Sequence, residues 1–505
     1  MSKPTDVIIA GAGPVGLFLA CELALAGVSV LVLERDTTPE TPWKEDFFGR
    51  RGLFLRATEA FYRRGMLDKI IHGGNQRPTQ LDKGPGFVFG GHFAGMMLNA
   101  NKIDFSRWKY HLPGPAFLPV GSSLGRIERV LSERAQTLGV QIIRGVGVTK
   151  VSDEGDIVKV WAGDKCFEAQ WLIGCDGGRS TVRKAAGFQF EGTGSEFMGY
   201  IASCDLDNQE LLKPGFNRTE SGMYIVTGPG QIYAVDFDLS FDRSQPVTRE
   251  HFQTVLQRVS GLDITVKALH LTTTFTARSK QATEYRRGRV FLAGDSAHIH
   301  SPLGAQGLTA GMGDAINLGW KLAATIKGYA PPGLLDTYHQ ERHPVGAHVL
   351  EWTRAQVVSL RPDPYGRAAA KIMQDLINTD EGTTYFADRI WGLSQRYELG
   401  DTHPLVGCSA PDFEFEDGVR LGPKLEKGRL LIIDFLSNSS VAQLAQDLEP
   451  FVDYFASDAK ETFGLKALLV RPDGTVAWVT EYEVDIGALT TVLSRWLSLP
   501  GLEGR

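Results

Sequence analysis

A glycine-rich hexapeptide near the amino end, Gly11-Ala12-Gly13-Pro14-Val15-Gly16, leaves the first part of this chain little choice of fold. A Val/Ile-rich run at 6–10 precedes it and reads as a buried strand. An apolar run at 17–26 follows and reads as a helix, with Gly27 as its C-cap. A second β-branched run at 28–33 completes a βαβ unit. In this arrangement the first glycine permits a tight turn. The second lets the backbone approach a pyrophosphate, and the third lets helix pack closely on strand. The helix N-terminus then offers free N–H groups and the positive end of its dipole to phosphate. Glu34 ends the second strand, 23 positions after Gly11. A carboxylate there accepts hydrogen bonds from ribose hydroxyls and repels a 2′-phosphate, so the site suits FAD or NAD over NADP. A lone GxGxxG is weak evidence, but here the strand, the helix and the acidic strand end are all in place.

Composition removes several other classes. The 505 residues are 43% hydrophobic and 22% charged, the balance of an ordinary globular protein of about three domains. A net charge of −6 argues against a nucleic-acid binder, which needs a basic surface. The small basic group Arg286, Arg287 and Arg289 reads as a solvated turn or a phosphate contact. Five cysteines, at 21, 166, 175, 204 and 408, include no CxxC pair. A disulfide scaffold, a zinc site and a dithiol redox centre therefore lack support, and no metal is expected. A reducing, cytoplasmic compartment fits this usage. A strand that starts this early leaves no room for a signal peptide. No apolar run is long enough for stable membrane insertion.

Further along, the Gly/Pro-rich region up to about residue 120 is followed by a helix at 127–138 and strands at 140–143, 146–151, 157–161 and 171–174. Between about 190 and 285, short strands such as 223–226, 232–237 and 269–275 suggest an antiparallel sheet, the usual form of a substrate-binding layer. A buried strand returns at 290–293, and a long helix is expected over 307–326. After helical sequence to about 398, a third unit starts near 403, with a strand at 430–435 and an amphipathic run at 441–455. Apolar runs at 465–470 and 476–479 flank the turn Pro472-Asp473-Gly474, and a last helix is marked by Leu489, Val492, Leu493, Trp496 and Leu497.

Two later motifs bear on chemistry. Asp176-Gly177-Gly178-Arg179-Ser180-Thr181-Val182-Arg183 reads equally as a phosphate-proximal loop or as a strand-end turn with a helix cap. The stretch from Gly294-Asp295 through Ser301-Pro302-Leu303-Gly304-Ala305-Gln306-Gly307 is a strand end, an acidic turn and a glycine-rich loop opening a helix. Asp295 suits hydrogen bonding to a sugar-alcohol chain, and the helix beyond Gly307 suits stabilising charge on a reduced ring. His298 reads as a structural histidine, and no general base is evident.

These motifs, in this order, resemble the class A flavoprotein monooxygenases, the para-hydroxybenzoate hydroxylase and phenol hydroxylase group. The likeness is strongest to hydroxylases that tailor aromatic polyketides in secondary metabolism. It rests on GAGPVG with Glu34-Arg35, DGGRSTVR at 176–183, and GDSAHIHSPLGAQGLTAGMGDAINLGWKLA at 294–323. Arg471-Pro472-Asp473-Gly474 with Val476-Ala477-Trp478 also looks like the thioredoxin-like tail of that group. The resemblance implies an α/β fold: a Rossmann-like FAD-binding domain, an interleaved antiparallel-sheet substrate domain and a C-terminal thioredoxin-like domain. The implied boundaries are 1–185 with 286–345 for FAD, part of 75–120 on the substrate side, 186–285 for the substrate sheet, 346–402 as a helical linker and 403–505 for the tail.

It also implies site roles. Gly11, Gly13, Pro14, Val15, Gly16, Glu34 and Arg35 would hold the ADP half of FAD, and Asp176 would lie near the pyrophosphate. Gly294 and Asp295 would hold the ribityl chain. Pro302, Gly304, Gly307 and Leu308 would line the flavin ring, with Arg50 and Arg51 nearby; Pro302 and Arg51 are the residues placed nearest the catalysis. Where many relatives carry a Gln, this chain has Leu124, with Arg126 two positions on as a substitute contact. Tyr224, Tyr233, Phe237 and Phe275 are candidates for the substrate wall. The implied reaction is hydroxylation of a phenolic or polyketide-like ring through a C4a-hydroperoxyflavin, with O2 and NADPH or NADH as transient reductant. Baeyer–Villiger or epoxidising chemistry on the same fold stays open, as do a dehydrogenase without oxygen chemistry and a non-catalytic flavin binder. The tail lacks CxxC and is expected to serve packing or a homodimer contact.

Overall fold

The computed structural model describes residues 5–71, 79–81 and 83–499. The part of the expected 75–120 contribution at 75–78 and 82 lies outside them, as do residues 1–4 and 500–505.

The glycine turn sits at the centre of an eight-stranded sheet. Strand Thr5–Ala10 pairs in parallel with Val30–Glu34 on one side and Lys165–Gly174 on the other. Gln141–Arg144 and Val290–Leu292 extend the sheet at either end, also in parallel. Residues Val7–Ala10 and Val30–Leu33 are buried, as expected for parallel strands covered on both faces. Helices Pro14–Leu25 and Gly307–Lys327 pack on each other over one face. The expected strand at 171–174 is longer than its apolar core, because Lys165–Ala169 pairs with the hairpin strand Val158–Ala162. Both halves of the α/β unit are thus assembled from segments far apart in the chain.

A five-stranded antiparallel sheet forms the second layer, in the order Gly215–Arg218, Gly222–Gly228, Gln231–Asp236, Met198–Asp207, Thr265–Thr276. This is the sheet expected between 190 and 285. The structure adds helix Arg249–Ser260, which the strand-dominated reading missed. Thr248 caps it by accepting from His251 N at 3.1 Å, and Phe252, Val255, Leu256 and Val259 bury against the back of the sheet. That spacing of three and four residues is the helical period.

The segment expected as a linker does more than connect. Helices Pro364–Ile377 and Asp380–Trp391 close over the strand pair Phe89–Phe93 and Met96–Asn99. Trp391 Nε1 donates to Gly90 O at 2.9 Å.

The C-terminal unit carries a four-stranded mixed sheet in the order Val452–Ala456, Leu430–Asp434, Ala467–Val470, Val476–Thr480. The amphipathic run at 441–455 divides into helix Ser439–Asp447 and strand Val452–Ala456 on either side of Pro450. Helix Ile486–Leu493 buries Leu489 and Leu493 against this sheet. Trp320 and Ala324, from the long helix Gly307–Lys327, belong to the same core. Arg471 reaches from the Pro472-Asp473-Gly474 turn to Glu341 of helix Asp336–Leu360, with a bidentate pair at 2.9 and 2.7 Å. The unit is therefore fastened by buried charge as well as apolar contact. No helix among the described residues is long and apolar enough to cross a membrane.

Candidate active site

The turn at 11–16 divides its three glycines between two physical jobs. Gly11 adopts φ +106°, and a Cβ there would lie 2.4 Å from Cys175 O. A Cβ on Gly16 would lie 2.1 Å from Gly11 O. Both positions exclude a side chain because backbone already fills the space. A Cβ on Gly13 would meet nothing within 4 Å. Its open side faces a large cavity that Gly13, Pro14 and Val15 line. Gly13 is the N-cap of helix Pro14–Leu25, and no side chain caps that end. Unsatisfied N–H groups at a helix start, next to open space, form an anion-binding arrangement.

Glu34 is held at the end of its strand. Its Oε2 accepts from Ala12 N at 2.6 Å and its Oε1 from Asp36 N at 2.9 Å. Arg35 projects outward and pairs with Asp36 at 3.5 Å. Neither Glu34 nor Arg35 lines the cavity. Asp176 Oδ2 accepts from Thr181 N at 2.6 Å and Val182 N at 3.1 Å, capping a short helix. Its Oδ1 is buried without a hydrogen-bond partner. Cys175 and Gly177, on either side of Asp176, line the cavity. Arg183 donates to Gly178 O and Ser296 O, both at 2.9 Å, and so braces this motif against the Gly294-Asp295 loop.

That later loop lines the same cavity, next to the glycine turn. Asp295, Pro302, Gly304, Gly307 and Leu308 line it, and a Cβ on Gly294 would touch the Val15 side chain at 3.1 Å. A buried carboxylate sets the loop's shape. Asp314 Oδ2 accepts from Gly294 N at 2.9 Å and lies 2.7 Å from His298 Nε2, while Oδ1 accepts from Arg342 Nε at 2.8 Å. Burial alone would raise the Asp314 carboxyl, but His298 and Arg342 hold it below its ordinary value. His298 is thus part of the scaffold, in keeping with its structural reading. Asp295 has an exposed side chain and no hydrogen bond among the described residues. Helix Gly307–Lys327 begins with no side-chain cap, and Gly307 and Leu308 of its first turn line the cavity.

Arg50 and Arg51 come from strand Arg50–Leu53, which pairs with Val120–Ser123. Arg51 Nη1 donates to Phe48 O at 3.0 Å and Arg50 O at 2.8 Å. Burial lowers its guanidinium, while Tyr233, Glu128 and Asp295 raise it. Leu124 lines the cavity, whereas Arg126 does not and donates instead to Ile71 O at 3.1 Å. The long reach of an arginine and a nearby free carbonyl turn it away from the cavity.

The far wall is the five-stranded sheet, and strand alternation decides who faces in. Met223, Ile225, Tyr233, Val235 and Phe275 line the cavity. Tyr224 points to the other face, where it is buried with the Arg249–Ser260 helix. Phe237 lies past the end of its strand and packs on Phe197 at 5.9 Å. Of the four aromatic candidates, the cavity therefore gathers Tyr233 and Phe275. It also gathers residues that no sequence pattern singled out: His92, Phe216 and Trp391. Period-two counting from Tyr233 would have found Met223, Ile225 and Val235. Nothing local announces His92 or Trp391, because their place depends on helices closing over the 89–99 hairpin.

The cavity measures ≈ 1680 Å³. Single small-molecule pockets occupy roughly 300–1,000 Å³, so there is room for a cofactor and a second molecule. Its chemistry is graded from open helix ends and polar loops at the glycine turn to aromatic and aliphatic side chains at the sheet.

Known proteins share this plan. A family model described as an FAD binding domain matches residues 4–353, and one described as an aromatic-ring hydroxylase C-terminal domain matches 403–500. A monooxygenase from Claviceps purpurea (strain 20.1) is 56% identical over 499 residues, covering 98% of both chains. A 12-dehydrotetracycline 5-monooxygenase/anhydrotetracycline 6-monooxygenase from Streptomyces rimosus is 37% identical, covering 98% of this chain and 99% of the relative. Among solved structures, the anhydrotetracycline hydroxylase OxyS from Streptomyces rimosus matches with a TM-score of 0.83 and 34% identity, over 99% of this chain and 100% of that one. CabE, an aromatic hydroxylase from angucycline biosynthesis, matches with a TM-score of 0.84 and 32% identity, over 98% and 99%.

Proposed function

Because the chain belongs to the FAD-dependent aromatic-ring hydroxylases, we propose that it inserts one oxygen atom into an electron-rich, fused-ring phenol, using NAD(P)H and O2. The observation that carries this reading is the shared cavity. The glycine turn, the Gly294–Leu308 loop and the aromatic sheet wall all line it.

The residues present fit a flavin dinucleotide. Gly13 has open space where a Cβ would stand, two uncapped helix starts line the cavity, and the Asp295 carboxylate lines it with no hydrogen-bond partner among the described residues. On this reading Gly13, Val15 and Gly16 bind the pyrophosphate through the helix start, with Asp176 beside it. Glu34 receives ribose hydroxyls. Its carboxylate has about four acceptor positions, so the bonds from Ala12 and Asp36 leave capacity. Asp295 accepts from the ribityl chain. Pro302, Gly304 and Leu308 lie along the ring, and the start of helix Gly307–Lys327 stabilises negative charge there. Arg51, which lines the same cavity and interacts electrostatically with Asp295, adds positive charge.

When bound, FAD supplies the redox chemistry, taking reducing equivalents from NAD(P)H and activating O2. The protein's own work is positional. Tyr233, Phe275, Phe216 and Trp391 hold the substrate ring and exclude water. The C-terminal unit, held by Arg471 and Glu341, supports helices Gly307–Lys327 and Asp336–Leu360 from behind.

The test is turnover. The purified protein should be yellow, and NADPH oxidation should rise when a hydroxylated fused-ring aromatic is added under O2, with a product heavier by one oxygen atom. A colourless protein that takes up no FAD on reconstitution would refute the flavin reading. Stimulated NADPH oxidation with no oxygen in any product would refute the hydroxylase reading and favour a dehydrogenase.

A further inference from the structure

The substrate half of the cavity carries very little charge. Arg50 and Arg51 are the arginines that line the cavity, which contains no lysine among the described residues; Arg51 Nη1 donates to Phe48 O and Arg50 O, and both guanidinium groups act on Tyr233. Glu45, Asp46 and Asp295 put three carboxylates around the same space. Beside His92 no charged group acts on the imidazole, which burial alone shifts, so a substrate carboxylate lodged there would find no cation. Burying such a group without a partner is strongly unfavourable.

The polar side chains of the sheet-side wall are few: His92, Thr227, Tyr233 and Thr273. The Tyr233 hydroxyl is directed to Phe47 O at 3.5 Å, and Thr227 donates to Gln231 at an exposed edge, at 3.2 Å. The Thr273 hydroxyl is free to rotate, whereas His92 is held in one orientation. It sits on strand Phe89–Phe93, at a kinked hairpin where Gly91, Ala94 and Gly95 all adopt positive φ. Its Nδ1 accepts from Gly95 N at 3.3 Å. A ring nitrogen that accepts leaves the proton on the other one, so Nε2 is an N–H donor. Among the described residues that donor has no protein partner. Burial pushes the imidazole down to about 4, so the ring is uncharged near neutral pH. Phe216 lies against it with centroids 4.2 Å apart, and Trp391 seals the hairpin through Gly90 O.

We propose that His92 is the polar anchor of the substrate chamber, donating Nε2–H to an oxygen of an uncharged polycyclic substrate, and that the chamber discriminates against substrates carrying a carboxylate on their buried rings. This rests on the hydroxylase reading above and adds to it the residue and the charge rule that set specificity. A donor fixed on an apolar wall gives orientation, because a polycycle that leaves it unpaired forfeits the bond and strands a desolvated N–H.

The experiment uses FAD-loaded protein and two probes, 1,8-dihydroxyanthraquinone and its 3-carboxylate, with binding read from the change in the flavin absorbance spectrum. The wild-type protein should bind the uncharged probe at least about tenfold more tightly than the carboxylate. His92→Phe keeps a flat ring but removes the donor, and should weaken binding of the uncharged probe about tenfold. His92→Gln restores an N–H near the position of Nε2 and should recover affinity to within about threefold of wild type. In turnover the Phe variant should raise KM more than it lowers kcat, a split that general destabilisation does not produce. Equal binding of both probes, equal affinity of wild type and the Phe variant, or no recovery with Gln would overturn the proposal. So would failure of the FAD-loaded wild-type protein to bind the uncharged probe, which would leave the flavin reading standing. Loss of FAD itself is a separate readout, because it bears on the site at the glycine turn and not on His92.

Discussion

At the residue scale, identical side chains do different work according to what stands where a Cβ would be. Gly11 and Gly16 face backbone at 2.4 and 2.1 Å, whereas Gly13 faces open cavity. Substitution should separate the two roles. Gly11→Ala should destabilise the fold by about 2–3 kcal/mol, through strain at positive φ and the clash with Cys175, visible as a lower melting temperature of the FAD-free protein. Gly13→Val should leave that melting temperature near wild type and weaken FAD binding at least about tenfold, or about 1.4 kcal/mol, as read by flavin retained per protein. These glycines were legible in the sequence because a strand, a helix and an acidic strand end surround them. Asp314 was not, although it holds Gly294, His298 and Arg342 together. An acid in a helix 20 positions after its loop leaves no local signature.

At the element scale, the reading succeeded where one period governs a long segment and failed where tertiary contact decides. The helix expected at 307–326 is found at Gly307–Lys327. Helix Arg249–Ser260 was missed because it is a single amphipathic element within a run of strands. Sheet parity separates two of the aromatic candidates: Tyr224 and Tyr233 are both aromatic, but only Tyr233 faces the cavity. Parity predicts opposite outcomes for adjacent substitutions. Ile225→Trp projects bulk into the cavity and should leave FAD content unchanged while raising KM for a fused-ring substrate about tenfold, roughly 1.4 kcal/mol. Tyr224→Arg places an unpaired charge in the core behind the sheet and should cost about 3 kcal/mol or more of stability, measured by denaturant unfolding.

At the scale of the whole molecule, the chain is an FAD-dependent monooxygenase whose three layers meet through buried charge as well as apolar packing. Arg471, Glu341, Asp473, Lys321 and Asn317 form one network between the C-terminal unit and the long helices. The Arg471-Pro472-Asp473-Gly474 motif was visible in the sequence as a turn. Its bond to a residue 130 positions earlier was not. Glu341→Gln leaves Arg471 and Lys321 short of a counter-charge and should cost about 3–5 kcal/mol. Burial pushes the Lys321 ammonium from 10.5 down to about 8, against the pull of Glu341. The folded state therefore binds this proton less tightly than the unfolded state. Stability from this site should be flat below pH 8 and rise between about 8 and 10.5. Lys321→Met should remove that rise when unfolding is followed across the same pH range.

The most direct measurement is an experimental structure of the protein purified with FAD. The pyrophosphate should lie at the uncapped helix start after Gly13, the ribityl chain at Asp295, and the ring along Pro302–Leu308 facing Tyr233 and Phe275. A flavin found elsewhere, or one that touches the glycine turn and leaves the 294–308 loop bare, would contradict the account.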